Sequence, residues 1–131
     1  MTGGEEADGG FDELVSDVFA RGCTSRAALE DIAGKWSVLA LLALLEGDYR
    51  FNALRRRVAG VSEKMLSQTL QALERDGMVR RQVHSHIPPR VEYSLTPLGG
   101  RVARAVRALT EVLEASALEI AAAQAAYSQR T

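Results

Sequence analysis

Residues 61–99 restrict the fold of this chain more than any other stretch, and they read VSEKMLSQTLQALERDGMVRRQVHSHIPPRVEYSLTPLG. A helix with one apolar stripe comes first, an arginine-rich hairpin follows, and the capped start of another helix ends the stretch. This order of elements is typical of a winged helix-turn-helix. We therefore expect a mainly α fold with a small β-hairpin wing (α+β) and with terminal dimerisation helices.

The first helix of this stretch is predicted to end at about residue 76. Ser62 can cap its start, and Leu66, Leu70 and Leu73 recur at the spacing of one helix face. Gly77 follows the last apolar position, where a left-handed backbone that favours glycine ends many helices. The opposite face carries hydrogen-bonding side chains, which suit either a solvated surface or a surface that reads DNA bases.

The side chains of this polar face match the chemistry of base edges. Glutamine suits adenine, lysine suits guanine, and serine suits either bases or phosphates. A polar helix face alone is more often merely solvated, so the DNA interpretation depends on its combination with the basic hairpin. The candidate base contacts are Ser62, Lys64, Ser67, Gln68 and Gln71.

The predicted hairpin has strands at residues 79–86 and 90–95, joined by Ile87-Pro88-Pro89. Because proline lacks a backbone N–H, we expect the two prolines to end the strand ladder and to stiffen the tip. Arginines on a projecting ribbon suit phosphates and the minor groove. Together with two arginines of a preceding helix, the candidate backbone contacts are Arg55, Arg56, Arg80, Arg81 and Arg90.

The net charge supports this location of a DNA-binding surface once it is divided along the chain. The total is −1, but residues 50–107 hold 12 Lys/Arg against 4 Asp/Glu, a net charge of +8. Residues 1–49 carry −7 and residues 108–131 carry −2. Positive charge is therefore concentrated in the segment that contains the predicted helix and hairpin, which indicates a local DNA face.

The length of 131 residues and the hydrophobic content of 47% suit one domain with its own core. The longest apolar run, residues 38–45, is far shorter than the ~20 residues that a bilayer span requires, and no leader-like segment opens the chain. We therefore expect a cytoplasmic protein without a membrane partner.

The chain divides into five predicted parts. Residues 1–10 form a glycine-rich, acidic and disordered tail, and residues 11–22 form an arm with helical periodicity over 11–20. Residues 23–96 form the winged helix-turn-helix domain, residues 97–126 a C-terminal dimerisation helix, and residues 127–131 a tail.

In the winged domain, three helices are predicted before the helix that Ser62 caps, which we call the reading helix because it carries the candidate base contacts. Ser25 can cap a helix over residues 26–32, and an almost wholly apolar helix over 36–45 is expected to be the buried central one. A third helix covers residues 51–58, and Ala59-Gly60 supplies the tight turn that follows.

The closing helix carries a heptad-like apolar seam that needs a helical partner. Thr96 caps this helix and Pro97 takes its first position, whereas Gly99 and Gly100 should weaken its first turn by roughly 1 kcal/mol each relative to alanine. Only the arm is left unpaired in the predicted fold, so a second subunit is the most economical partner. The candidate interface residues are Phe11, Leu14, Val18, Val102, Val106, Leu109, Leu113 and Ile120.

Cys23 is the single cysteine, which excludes an intramolecular disulfide. It lies near Arg21 and just before a predicted helix start, where a thiolate is favoured. It is therefore a candidate sensor of oxidants or electrophiles, and the alternative is a small packing residue.

Other reactive or ligand-binding residue types form no recognisable constellation. His84 and His86 alternate on one strand without nearby third and fourth ligands, so no metal site is predicted. Trp36 is a candidate for lining a ligand pocket, although an aromatic residue that opens a buried helix is more often part of the core. No catalytic arrangement or cofactor motif is present, so we predict neither enzymatic activity nor a cofactor.

Several motifs resemble those of the HxlR family of bacterial winged helix-turn-helix transcription regulators. They span about residues 23–107 and are Gly34-Lys35-Trp36, Arg50-Phe51-Asn52 with Leu54-Arg55-Arg56, Ser62 with Met65-Leu66, Leu73-Glu74-Arg75-Asp76-Gly77, and the run PPRVEYSLTPLG that ends at Gly99. The last of these motifs is long and ordered, which makes the resemblance specific.

The resemblance implies a homodimer that binds an inverted-repeat operator and represses or activates neighbouring genes. Some members of the family sense electrophiles through a cysteine at the place of Cys23. Here Thr24 follows that cysteine, where the family usually has proline, and no second cysteine exists for a mixed pair. The remaining ways in which Cys23 could sense an electrophile or oxidant are adduct formation on the thiol and a Cys23–Cys23 bridge between subunits.

Two other functions stay open at the level of sequence. The basic segment could belong to a winged-helix module that binds an acidic protein, which would show no salt-dependent binding to promoter DNA. Alternatively, a dimer pocket lined by Trp36 and the arm could bind a small-molecule effector without thiol chemistry. In that case the response would survive replacement of Cys23 by serine.

Overall fold

The computed structural model describes residues 17–130, and within this part the chain forms six helices and three short strands. The predicted fold class, mainly α with a small β-hairpin wing, is confirmed. In chain order the elements are α1 (Thr24–Ile32), α2 (Lys35–Glu46), β1 (Tyr49–Arg50), α3 (Phe51–Arg57), α4 (Glu63–Arg75), β2 (Val79–His86), β3 (Pro89–Leu95), α5 (Pro97–Ala115) and α6 (Ala117–Arg130).

Helix α2 is the centre of the hydrophobic core, as its nearly continuous apolar sequence predicts. It packs against α5, α4, α3 and β3, so it is covered on several sides. The buried side chains of the core come mainly from α2 and α4, with Leu54 from α3, and they include Ala40, Leu41, Leu44, Leu66, Leu70 and Leu73. No described helix combines the length and the apolar character that a membrane span needs.

The sheet is antiparallel with strand order β1-β3-β2. Strand β1 has only two residues, and its pairs are Tyr49 with Tyr93 and Arg50 with Glu92. The sequence did not predict this strand, because two residues are too few to show alternation.

The wing tip is shorter than the sequence predicts. Only Ile87 and Pro88 form the turn, and Pro89 is already paired with His86 as the first residue of β3. The prediction that both prolines end the ladder is therefore wrong for Pro89. A proline is tolerated as the first residue of a strand because its missing N–H is not needed there.

The predicted arm helix does not extend into the described part of the chain. Phe11 and Leu14 lie outside the described residues, and residues 18–22 form turns and a bend in place of the last helical turn. The Asp17 carboxylate accepts a hydrogen bond from the backbone N–H of Phe19 (3.1 Å), and such local bonds compete with a helix. Val18, the described member of the predicted arm interface, is exposed.

Helix α1 begins earlier than predicted, and its cap is different. The N-cap residue is Cys23 and not Ser25, because the carbonyl of Cys23 already accepts from the backbone N–H of Ala27 at 3.1 Å. The Ser25 hydroxyl lies 2.9 Å from the sulfur of Cys23. The Ser25 side chain therefore forms a hydrogen bond with the thiol and does not cap the helix.

The closing helix differs from the prediction in two ways. It is interrupted at Ser116, so α5 and α6 replace one helix over residues 97–126. Moreover, α5 packs along α2, which shows that the expectation of an unpaired seam is wrong for its first part. Val102 packs against the core of its own chain, whereas Leu109 and Leu113 are exposed.

The start of α5 is locked to the end of α4 by backbone contacts. Thr96, the predicted N-cap, accepts a hydrogen bond from Gly99 N–H (2.9 Å), and its hydroxyl donates to the carbonyl of Gly77 (2.6 Å). The backbone N–H of Thr96 donates to the carbonyl of Met78 (3.0 Å). Gly99 is buried at this contact, since a Cβ atom placed on it would lie 1.8 Å from the carbonyl oxygen of Met78.

We predict that Gly99→Ala lowers the free energy of unfolding by about 3 kcal/mol or more, because the methyl group would collide with backbone that cannot move aside. Gly100→Ala is the matched control, since its Cβ would first meet the end of the flexible Arg104 side chain at 3.4 Å. We expect the control to be as stable as the parent or up to about 1 kcal/mol more stable. Urea denaturation measures both values, and equal stability of the two variants would contradict the close approach.

Candidate nucleic-acid interface

Helices α3 and α4 form the helix-turn-helix, and the turn between them has the predicted geometry. Gly60 has a positive φ of 91°, which glycine adopts without strain. The Ser62 hydroxyl accepts a hydrogen bond from the backbone N–H of Met65 at 3.1 Å, so the predicted cap of the reading helix is confirmed. Gly77 has a φ of 77°, as predicted for the residue after this helix.

The polar face of α4 points outward because its apolar stripe is buried in the core. Leu66, Leu70 and Leu73 are buried, together with Thr69. Of the five predicted base contacts, Ser67 is half-buried and the others are exposed; those are Ser62, Lys64, Gln68 and Gln71.

Consecutive arginines of the wing project from opposite faces of the ribbon. Arg81 pairs with Tyr93 and Arg80 with Ser94, and neighbouring residues of a strand point to opposite sides. Arg81 lines a groove of about 430 Å³ together with Ser67, Gln71 and Glu74 of α4. The reading helix and one face of the wing therefore share a groove, and Arg80 lies on the other face.

A second groove lies between α3 and the wing. It has a volume of about 510 Å³ and is lined by the predicted residues Arg56 and Arg90 and also by Arg50. Arg50 is not among the contacts predicted from the sequence, although the basic segment begins at this residue. Its pairing with Glu92 in the sheet is not local in sequence, which explains why the pattern did not reveal it.

The three consecutive arginines of α3 have different roles. Arg57 forms a bidentate ion pair with Glu46, in which its Nε and one terminal nitrogen lie 2.8 and 2.6 Å from the two carboxylate oxygens. The hydrogen bond from Arg57 holds the pKa of Glu46 below its ordinary value, and a bond from the Tyr49 hydroxyl acts in the same direction. All three arginines are exposed, but only Arg57 is held to α2 by this ion pair.

The candidate sensor Cys23 is buried, with 3% of its surface exposed. The hydrogen bond with Ser25 lowers the pKa of the thiol below its ordinary value. Burial opposes this shift, and the backbone N–H groups of Arg26 and Ser25 support it. These contacts favour the thiolate, which is the reactive form of cysteine.

The environment of Trp36 favours a structural role. Its indole packs against the core, and one edge of the ring lies 3.7 Å from where a Cβ atom on Gly60 would be. The ammonium group of Lys35 lies 4.4 Å from the centre of the ring.

The two histidines of the wing are exposed, and His84 lies 3.2 Å from a carboxylate oxygen of Glu92. Across residues 17–130, no group of three or more potential ligands could hold a metal ion.

The end of α4 is attached to α1 through a cluster of two carboxyl groups and one arginine. Arg75 lies 3.4 Å from Asp31 of α1 and 4.0 Å from Asp76, the residue that ends α4. One oxygen of Asp76 is buried without a hydrogen-bond partner among the described residues. Burial, and a hydrogen bond and repulsion from Asp31, raise the pKa of Asp76 to about 6.

A model of the HxlR-like helix-turn-helix family matches residues 31–119 of the chain, which include the helix-turn-helix and the wing. The chain belongs to the HxlR family. It is therefore a helix-turn-helix transcriptional regulator, and the resemblance found in its sequence motifs is confirmed.

Proteins of known sequence and structure agree with membership of the HxlR family. The chain is 50% identical over 106 residues to the HTH-type transcriptional regulator YtfH of Escherichia coli (strain K12), an alignment that covers 81% of this chain and 84% of the relative. The solved structure of the transcriptional regulator ytfH from Salmonella typhimurium is 47% identical with a TM-score of 0.77 and covers 82% of this chain and 96% of that one. The redox regulator HypR in its reduced form is 33% identical with a TM-score of 0.69 and covers 76% and 98% of the two chains.

We predict that Asp76→Asn stabilises the protein at pH 7 by on the order of 1 kcal/mol, because it removes a carboxylate that the fold holds above its ordinary pKa. A raised carboxyl pKa favours the protonated folded state, so this site lowers stability as the pH rises from about 4 to about 6. The variant should lose that part of the pH dependence in urea denaturation. Glu74→Gln, at an exposed carboxylate two residues away, is the control and should keep it. A variant that is less stable than the parent at pH 7 would contradict this account.

Proposed function

We propose that the chain is a homodimeric transcription regulator that binds an inverted-repeat operator through α4 and the wing. The observation that carries the proposal is the groove in which Ser67 and Gln71 of α4 meet Arg81 of the wing. A base-reading helix beside a cationic ribbon combines the two kinds of contact that sequence-specific binding needs. The positive charge of residues 50–107 supports the same surface.

In this mechanism α4 of each subunit enters a major groove. Gln68 and Gln71 read adenine edges, Lys64 reads guanine, and Ser62 and Ser67 contact bases or phosphates. The wing and α3 fix the position of the helix on the backbone through Arg55, Arg56, Arg80, Arg81 and Arg90. The protein has no catalytic activity in this proposal, and it acts in the cytoplasm.

The proposed dimer uses the exposed apolar surface of the last two helices. Leu109, Val112 and Leu113 on α5 and Leu118 and Tyr127 on α6 are all exposed, and Leu118 is 90% exposed. A second copy of the same surface would cover these side chains. Val106 and Ile120 are half-buried and belong to the edge of this interface. Two-fold symmetry then requires half-sites about one helical turn, ~34 Å, apart.

A second proposed activity is the release of DNA when the thiol of Cys23 reacts. The hydrogen bond that lowers its pKa and the similarity to the redox regulator HypR favour this signal. In the simplest step the thiolate adds to a ring carbon of a quinone: a C–S bond forms, the C=C π bond at that carbon breaks, its electron pair moves to a carbonyl oxygen, and that oxygen takes a proton. No oxidant is needed for this adduct.

We predict that Gln68→Ala lowers affinity for the operator but leaves affinity for random DNA unchanged, because it removes only a base contact. Each such contact is worth about 1–3 kcal/mol. Arg81→Ala should weaken both DNAs and reduce the salt dependence by about one phosphate contact. Fluorescence anisotropy at several salt concentrations measures these effects, and equal losses on both DNAs for Gln68→Ala would refute base reading.

We predict that Cys23→Ser keeps operator binding but no longer releases DNA when a simple quinone is added. Intact-mass measurement should show one adduct on the parent chain and none on the variant. If the variant responds like the parent, the effector acts through a pocket and not through the thiol.

A further inference from the structure

The groove between α3 and the wing brings together arginines from three different elements. Arg50 comes from β1, Arg56 from α3 and Arg90 from β3, and all three line the same cavity of about 510 Å³. We call it the arginine cleft. None of its lining residues is acidic; the others are Phe51, Asn52, Ala53, Pro89 and Val91.

The sheet register explains why two of these arginines meet. Arg50 lies opposite Glu92, and Arg90 precedes Glu92 by two residues on β3. Cross-strand partners and residues two apart on a strand lie on the same face of a sheet. Arg50 and Arg90 therefore project from one face, and the two-residue strand β1 is the element that brings Arg50 to the wing.

The carboxylate that lies opposite Arg50 in the sheet contacts a histidine and not an arginine. Glu92 lies across from Arg50, but its oxygen is 3.2 Å from the ring nitrogen of His84. Within residues 17–130, none of the ion pairs involves Arg50, Arg56 or Arg90. Three cations therefore line one cavity and none of them forms an ion pair among the described residues, which favours the binding of an anion.

We propose that the arginine cleft binds one phosphate group of the DNA backbone, held jointly by Arg50, Arg56 and Arg90. The planar guanidinium group matches phosphate oxygens with two parallel hydrogen bonds. The apolar walls of Phe51, Pro89 and Val91 reduce the local dielectric and strengthen the attraction. This inference rests on the proposed DNA binding, and it deepens that proposal by assigning one phosphate to a composite site that includes Arg50.

Backbone neutralisation of single phosphates tests the assignment. A set of duplexes with the sequence of the chain's own promoter is prepared, and each duplex carries one neutral methylphosphonate at a different backbone position. Fluorescence anisotropy measures the dissociation constant of each duplex. For the parent chain, one position per half-site that faces the cleft should weaken binding by about tenfold. Arg50→Ala should bind the unmodified duplex about tenfold more weakly than the parent does. A methylphosphonate at the position that faces the cleft should weaken binding of this variant by less than a further twofold.

Two further variants make the result specific. Arg90→Ala should lose the same sensitivity at the same position, which provides an independent result if Arg50→Ala disturbs β1. Arg130→Ala removes one exposed cation from the end of α6 and should keep the full tenfold sensitivity. If folded Arg50→Ala and Arg90→Ala proteins bind like the parent at every position, the cleft assignment is wrong while the proposed DNA binding stands. If the parent chain binds no duplex, the proposed function itself fails and the inference fails with it.

A phosphate could also come from a free molecule, and inorganic pyrophosphate distinguishes the two sources. Under the proposal, pyrophosphate shows no saturable binding to the parent chain in calorimetry at micromolar concentrations. Micromolar binding that Arg50→Ala abolishes, and that competes with DNA, would overturn the assignment to the DNA backbone.

Discussion

The structure depends on the close backbone contact between the end of the helix-turn-helix and the start of α5. Gly99 approaches the carbonyl of Met78 so closely that no side chain fits, and Thr96 bonds to Gly77 and Met78 at the same place. Met78 lies between α4 and β2, and Thr96 lies between β3 and α5. One junction therefore fixes the reading helix, both strands of the wing and the helix that packs on α2. Gly99, which was expected to weaken the first turn of α5, is required by this contact.

Local patterns were sufficient to predict the elements that carry the candidate site. Ser62, the leucine stripe of α4 and Gly77 define a helix by rules that act within a few residues, and the structure has the cap and the turn that they predict. The wing was predicted from alternation and the fold class from the order of elements. The match of residues 31–119 to the HxlR-like model agrees with the motifs.

The features that the sequence did not predict depend on partners distant in the chain. A heptad-like seam has the same pattern whether it packs on its own chain or on another, so the contact of α5 with α2 could not be foreseen. Strand β1 exists because β3 lies beside it, and Arg50 joins the arginine cleft for the same reason. At Cys23 the ranking of capping residues favoured serine, but the hydroxyl of Ser25 is directed to the sulfur. The roles of the individual DNA contacts and of the dimer surface stay predictions.

The opposite projection of Arg80 and Arg81 has a mechanical consequence for the wing. A ribbon with positive charge on one face would be pulled toward one wall of a groove that is bounded by two phosphate backbones. Because Arg81 lies on one face and Arg80 and Arg90 lie on the other, a wing that entered such a groove, as proposed, would present positive charge to both backbones. A sideways displacement of the wing would then lengthen the phosphate contacts of one face, so the wing would keep its lateral position only where both faces hold their contacts.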